Sequence, residues 1–586
     1  MKRKGREVSW PFYSFLLSLI KEESLFRPFK TFIKELHNNM REKMKIIGII
    51  FSILMIINLQ SVDPFYDHLS QSLVPHNNLT VYIGMNWIET QKILSSDGAP
   101  YDYFGISVAL SGNTALIGAS YDESLRGSAY IFTFNGTIWT QQIKLSASDG
   151  VTQDYFGYPV CLDGNIALIG APGDDTGRGS AYVFLRNGTE WTQEVKLVAS
   201  DGAYMDRFGM VSLSGDIALI GAPWDDDNGY NSGSAYVFTW NGTNWTQQAK
   251  LRASDGVMGD SFGQSVAISG DTAIIGAPWD DNNGPNSGSA YVFTCNGTDW
   301  TQQAKLYAQD GSSEDEFGFP VSIDGDTVLI GASHNDDNGD NSGSVYVFIR
   351  IGATWFQQAK LCPSDGASGD IFGWSVSLDG DTALIGAYYD DLGRGSAYIF
   401  TRDGTTWIQQ VKLLASDRTA GDYFGNSVSI VNNTALIAAG QDDDNGVNSG
   451  SVYIFTKENQ PPTSPIIDGS TDGKVKQQYN YSFMSADPGN NDVYYFIDWG
   501  DETNSNWIGP YPSGTAVTQS HTWATKGTYI IKAKAKNTLG MESDWGTLTV
   551  TMPVAYEPPH FQFLEWLFEH FPHAFPILRY FFGWNI

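Results

Sequence analysis

The sequence predicts an all-β protein: a seven-bladed β-propeller closed by an N-terminal outer strand, followed by a C-terminal immunoglobulin-like β-sandwich. Three observations carry this. Phe-Gly pairs begin at Phe104, Phe156, Phe208, Phe262, Phe317, Phe372 and Phe424, spaced by 52, 52, 54, 55, 55 and 52 residues, and a repeat of this length marks blades or solenoid units. Each period holds four short strand-like runs separated by turn residues. A copy of the fourth run, Asn86 to Leu94, precedes the first Phe-Gly pair, whereas the seventh unit ends at Lys457 without one.

In the third unit the runs are FGMVSLS, DIALIGAP, GSAYVFTW and WTQQAKL. IALIGA and SAYVF are apolar on both faces, which suits a sheet sandwiched between neighbouring sheets. Radial packing of seven such sheets meets that need. The stray N-terminal copy then fills the outer edge of the seventh sheet and hides an edge that would otherwise be exposed.

Composition narrows the function. The chain has 586 residues, 14% of them aromatic, with 62 glycines and a formal net charge of −30. That charge argues against nucleic acid, whose phosphates need a basic face. Cys161, Cys295 and Cys362 are the only cysteines and occupy non-equivalent repeat positions, so no disulfide framework or cysteine metal site is drawn from them. Residues 1–62 read as a basic segment and a signal peptide or anchor, with an apolar run from Ile46 to Leu59 and Met44 as an alternative start. Residues 63–85 form a linker, 86–457 the propeller, 458–465 a proline-rich joint, 466–553 the sandwich and 554–586 an apolar aromatic tail. An extracellular or cell-surface location is expected.

The Phe-Gly pairs, with Gly170-Ala171-Pro172, Gly221-Ala222-Pro223, Gly276-Ala277-Pro278 and looser copies such as Gly331-Ala332-Ser333, resemble the FG-GAP repeats of integrin α-subunit heads and microbial surface proteins. The resemblance runs over roughly residues 87–457 and implies a surface binding or adhesion module. An integrin-type calcium loop lies between the first two strands, but here that connection is as short as SGDI or DGDT, with no room for one. In the sandwich, Asp498-Trp499-Gly500-Asp501 with His521, Trp523 and Tyr529 resembles a PKD domain, with Glu502 where that family usually has glycine. The family role is spacing and adhesion.

In an antiparallel meander, the loops from strand two to three and from strand four to the next blade emerge on one face. They hold about half of the 65 carboxylates, so one face is predicted to be strongly acidic. The candidate calcium ligands are Asp174, Asp175, Asp225, Asp226, Asp227, Asp280, Asp281, Asp336, Asp337, Asp390, Asp391, Asp442, Asp443 and Asp444. Calcium takes six to eight oxygens; the competing reading is solvated turns, since Asp and Asn favour turns through their own side chains. The opposite face collects Asn-Gly hairpin turns, and glycosylation sequons fall at Asn78, Asn135, Asn187, Asn241, Asn244, Asn296, Asn432 and Asn480.

No catalytic constellation assembles: the repeats hold one histidine, His334, read as a solvated loop residue. Trp224, Trp279, Tyr388 and Tyr389 stand at the edge of the acidic face, for loop packing or for stacking on a sugar or peptide. The tail places Leu564, Leu567, Phe568 and Phe571 on one helical stripe, suited to a membrane interface, a sorting partner or packing on the sandwich. The favoured reading is a non-enzymatic surface protein binding a protein or glycan ligand, with membrane association through the N-terminal anchor or the tail. The alternative is a propeller hydrolase or lyase acting on extracellular polysaccharide.

Overall fold

The computed structural model describes residues 87–489 and 491–552. The signal or anchor, the linker, Asn78, Asn86 and the tail from 554 lie outside the described residues. Within the repeats the chain forms seven four-stranded antiparallel sheets. In the third, strands Met210–Ser214, Ile217–Ala222, Ser234–Trp240 and Trp245–Leu251 pair in chain order. The second and third strands are buried over almost their whole length, as their two-sided apolar runs require.

The sheets pack as a closed ring. First strands of successive blades are stitched by serine hydroxyls that accept backbone N–H groups, as Ser107 does from Val160 at 3.0 Å and Ser212 from Ile268 at 3.1 Å. The seam is made the same way: Val108 and Leu110 N–H donate to Ser427 and Ser429 Oγ of the seventh blade, both at 3.0 Å. At the rim, Trp87–Ile93 pairs antiparallel with Ser451–Lys457, from Trp87 opposite Lys457 to Ile93 opposite Val452. The N-terminal strand therefore completes the seventh sheet.

Hydrophobic clusters straddle blade boundaries rather than sitting inside single blades. At the seam Phe104, Ile117, Tyr130 and Trp139 share a cluster with Leu436, Val452 and Ile454. Each Phe-Gly phenylalanine is fully buried, and Phe104 meets the edges of Tyr130 at 5.4 Å and Phe132 at 5.9 Å. The glycine that follows is obligatory. Gly157 has φ of +102° and a Cβ there would stand 2.4 Å from the Ser128 carbonyl oxygen, so only glycine lets the loop press on the neighbouring strand.

The sandwich pairs a three-stranded sheet with a four-stranded one of order Asn504–Tyr511, Val493–Asp498, Gly527–Asn537, Gly546–Met552. Its core holds Trp523, Tyr481 and Tyr495. The motif residues named from sequence converge: His521 stacks on Trp499 at 4.6 Å and its Nε2 lies 2.8 Å from Asp501 Oδ2. Glu502, in the usual glycine place, adopts φ of +70°, the left-handed conformation that glycine takes without strain.

Deleting residues 86–94 should abolish cooperative unfolding, because it leaves the last sheet with a bare edge and the seam without its rim strand. Denaturant melts followed by tryptophan fluorescence check this; a truncated chain that melts as one sharp transition at the parent midpoint would contradict ring closure.

Candidate functional site

Carboxylates of the two loop sets meet on one face, as the meander requires, and the structure gives the Asp runs specific partners. The Asp runs are not merely solvated turns, and the reason is a lysine on each fourth strand. In blade three, Lys250 Nζ lies 2.8 Å from Asp201, 2.9 Å from Asp225 and 2.6 Å from Asp227. The Tyr236 hydroxyl donates to Asp201 and Asp225 at 3.0 Å each, and the Asp225 side chain is only 5% exposed. Asp226 stays outside and caps the turn by accepting the Asn231 N–H at 2.7 Å.

The pattern repeats with small changes. Asp174 pairs with Lys196 at 2.5 Å, Asp280 with Lys305 at 2.9 Å and Asp390 with Lys412 at 2.6 Å, while Lys92 takes Asp442 at 3.0 Å and Asp444 at 2.6 Å. Asp281 and Asp443 cap turns at Asn286 and Asn448, and Asp175 and Asp391 pair with Arg178 and Arg394 on the surface. Blade five departs: the buried position is Asn335, bonded to Asp315 at 3.1 Å, so Asp336 caps Asn341 and Asp337 pairs with Lys360. The inward carboxylate oxygens are already held by an ammonium, and the outward ones by turn N–H groups or arginines. Among the described residues no group of three or more His, Cys, Asp or Glu side chains is arranged to hold a metal ion, and this donor set does not fit calcium.

Electrostatics follow from the geometry. Burial pushes the carboxyls of Asp102, Asp154, Asp206, Asp315, Asp370 and Asp422 up, and Asp260 up to about 6. Burial would also raise Asp97, Asp201 and Asp417, but the bonded lysine and tyrosine hold them below the usual carboxylate range. Burial likewise opposes the charge on Lys250, yet its three carboxylates raise it further above the ordinary lysine value. His334 is half-buried rather than a solvated loop residue: its Nδ1 lies 3.2 Å from Glu316 Oε2, and that contact raises its pKa. The described sequon asparagines, Asn135, Asn187, Asn241, Asn244, Asn296, Asn432 and Asn480, are all exposed.

Where the blades differ is more informative than where they agree. Tyrosine, lysine and the buried carboxylates recur in phase, but the residue after each Phe-Gly pair reads Ile106, Tyr158, Met210, Gln264, Phe319, Trp374 and Asn426. All seven line one of two adjoining cavities on the face of the acidic loops, of about 600 and 370 Å³. The residue before each pair varies as widely: Tyr103, Tyr155, Arg207, Ser261, Glu316, Ile371 and Tyr423. Four of these, Tyr103, Tyr155, Arg207 and Tyr423, also line the cavities.

Those seven residues have φ between 53° and 60°, a left-handed conformation that costs a side chain about 1–2 kcal/mol. Glycine would relieve it and occurs in none of the seven. The result is an aromatic cup. Tyr121 meets Tyr103 at 4.7 Å and Tyr155 at 5.7 Å, Trp374 meets Tyr388 at 4.8 Å, and Tyr389 stacks on Tyr423 at 5.5 Å. Of the aromatics singled out in the sequence, Trp224 and Tyr388 line the cup; Tyr389 abuts it, and Trp279 is 36% exposed. Among the described residues no carboxylate lines either cavity. Comparing the seven repeats at these positions would have found the cup from sequence alone.

A closed ring of seven four-stranded sheets around a diversified axial cup defines a seven-bladed β-propeller. The FG-GAP repeat family matches residues 87–132, 139–184, 191–238, 245–293, 300–348, 355–400 and 407–455, one match per blade, and the chain belongs to that family. No curated protein matches it. Among solved structures, the PKD domain of an M14-like peptidase from Thermoplasmatales archaeon SCGC AB-540-F20 is similar at 50% identity, covering 17% of this chain and 100% of that one, with a TM-score of 0.16. The PKD domain of the human VPS10 domain-containing receptor SorCS2 is similar at 18% identity, covering 17% and 81%, with a TM-score of 0.13. Among the described residues no helix is long and apolar enough to cross a membrane.

Replacing Lys250 with Gln strands the buried Asp225 beside two other carboxylates and should lower stability by about 3 kcal/mol, read from denaturant midpoints. Millimolar calcium should move the melting temperature no further than matched ionic strength does, since a ligand raises it only by binding the folded state. The pH dependence follows from two opposed sets. Carboxyls raised in the fold, such as Asp260, stabilise below 3.8 and lose that contribution as pH rises to about 6. Carboxyls lowered in the fold, such as Asp201, stabilise above 3.8 and lose it below. The melting temperature should therefore be at least as high at pH 5 as at pH 7 and fall below pH 3.8; calorimetry across that range checks it.

Proposed function

We propose that the protein is an extracellular binding or adhesion module that holds its ligand in the axial aromatic cup and does not turn it over. One observation carries this reading: blades alike in their buried residues differ in the side chains that meet at the cup. A structural site would repeat sevenfold, whereas a site shaped to one asymmetric ligand needs different groups around the ring. Flat tyrosine and tryptophan faces with neutral hydroxyl and amide groups suit a sugar or peptide surface. Membership in the FG-GAP repeat family supports an exported location and an adhesive role by analogy of fold. The sandwich then serves as a spacer.

A glycan and peptide array probed with the full chain tests this. Trp374→Ala should weaken retention at least about tenfold, the scale expected for a buried aromatic contact, while Trp279→Ala, away from the cavities, should leave it unchanged. Released product in place of retained ligand would favour a hydrolase or lyase, and equal loss in both variants would move the site away from the cup.

A further inference from the structure

We infer that the ligand of the cup is a pyranose bearing a carboxylate, and that Arg207 is the residue that receives it. This deepens the proposed binding function and rests on it. Arg207 lies in the smaller cavity, its guanidinium over the Trp224 ring at 4.8 Å from the centroid. Both residues are fixed by backbone bonds: Trp224 N–H donates to the Asp206 carbonyl at 3.2 Å and Arg207 N–H to that of Gly177 at 2.9 Å.

The other cations of this face set Arg207 apart. The seven fourth-strand lysines, and Arg126, Arg178, Arg252, Arg394 and Arg418, each lie within ion-pair distance of a carboxylate. Arg207 forms no such pair among the described residues, although its face carries about half of the chain's carboxylates, and its buried Nε has no hydrogen-bond partner. Arg207 lines a cavity of about 370 Å³ with no acid among its described wall residues, and a guanidinium there without a carboxylate is an unpaired donor fork. Such a fork matches a carboxylate in two parallel bonds.

The remaining walls specify the rest of the molecule. Burial keeps the phenols of Tyr121 and Tyr158 above their ordinary value, so they stay protonated hydrogen-bond donors. With the Gln264 amide they offer neutral partners for ring hydroxyls, and the aromatic faces offer a platform for the C–H face of a sugar. A single carboxylate carries one negative charge past the acidic rim. A phosphate monoester would carry about 1.5–2, against one unpaired cation.

The test uses the full chain, titrated by calorimetry and tryptophan fluorescence with a galacturonic acid trisaccharide and with the neutral galactose trisaccharide of the same linkage. The acidic sugar should bind at least about tenfold more tightly. Arg207→Met, which keeps the stem on Trp224, should erase that preference with the melting temperature in place, and Arg207→Lys should retain part of it. Equal affinities, a preference that survives Arg207→Met, or no binding of either sugar overturns the inference, as does tighter binding of an acidic tetrapeptide. A melting temperature that falls with unaltered affinity would assign Arg207 a packing role and overturn it as well. None of these results alters the Trp374 comparison, which tests the cup itself.

Discussion

The contact on which the face depends is one ammonium shared by two loops that arrive from different connections. Lys250 and the Tyr236 hydroxyl join Asp201, from the loop entering the blade, to Asp225, from the loop between its second and third strands. A pair this close and partly desolvated holds both loops in register, and removing either partner would leave a buried charge uncompensated. With the same clamp in each blade, Asn335 altering it in the fifth, both loop sets become a stiff collar. The cup is the space inside that collar.

Architecture was legible in the sequence because it repeats. Seven Phe-Gly pairs, four runs per unit and one displaced Trp strand are enough to specify blades, closure and the face of the acidic loops. The role of the acid was not legible in the same way. Lys92, Lys144 and Lys250 read as ordinary polar residues of an outer strand, and nothing in a run such as Asp225-Asp226-Asp227 says that its first member turns inward. The signal was present as phase: each lysine stands opposite the tyrosine of the third strand, as Lys250 does with Tyr236. Grouping Asp336 and Asp337 with the other runs also hid that Asn335 holds the buried place.

The cup shows a different limit. Aromatic residues near Gly-Ala-Pro endings drew attention to Trp224, Trp279, Tyr388 and Tyr389, but the more telling residues flank Phe-Gly, where Met210, Gln264 and Trp374 replace one another after the pair and Arg207, Ile371 and Tyr423 before it. All seven residues that follow Phe-Gly, and four of those that precede it, line the cavities. Retaining side chains in a left-handed conformation there, Ile371 at φ of 55° among them, is local strain kept where the surrounding ring over-determines the backbone.

The rim strand has a temporal consequence. Thr90 bonds to Ile454, 364 residues further along the chain, so the earliest segment of the domain to be synthesised finds its mate only after the last blade exists. Contacts of such separation are slow to form. During synthesis the wheel stays an open arc, its first strand held in reserve until the final turn of the chain arrives to latch it.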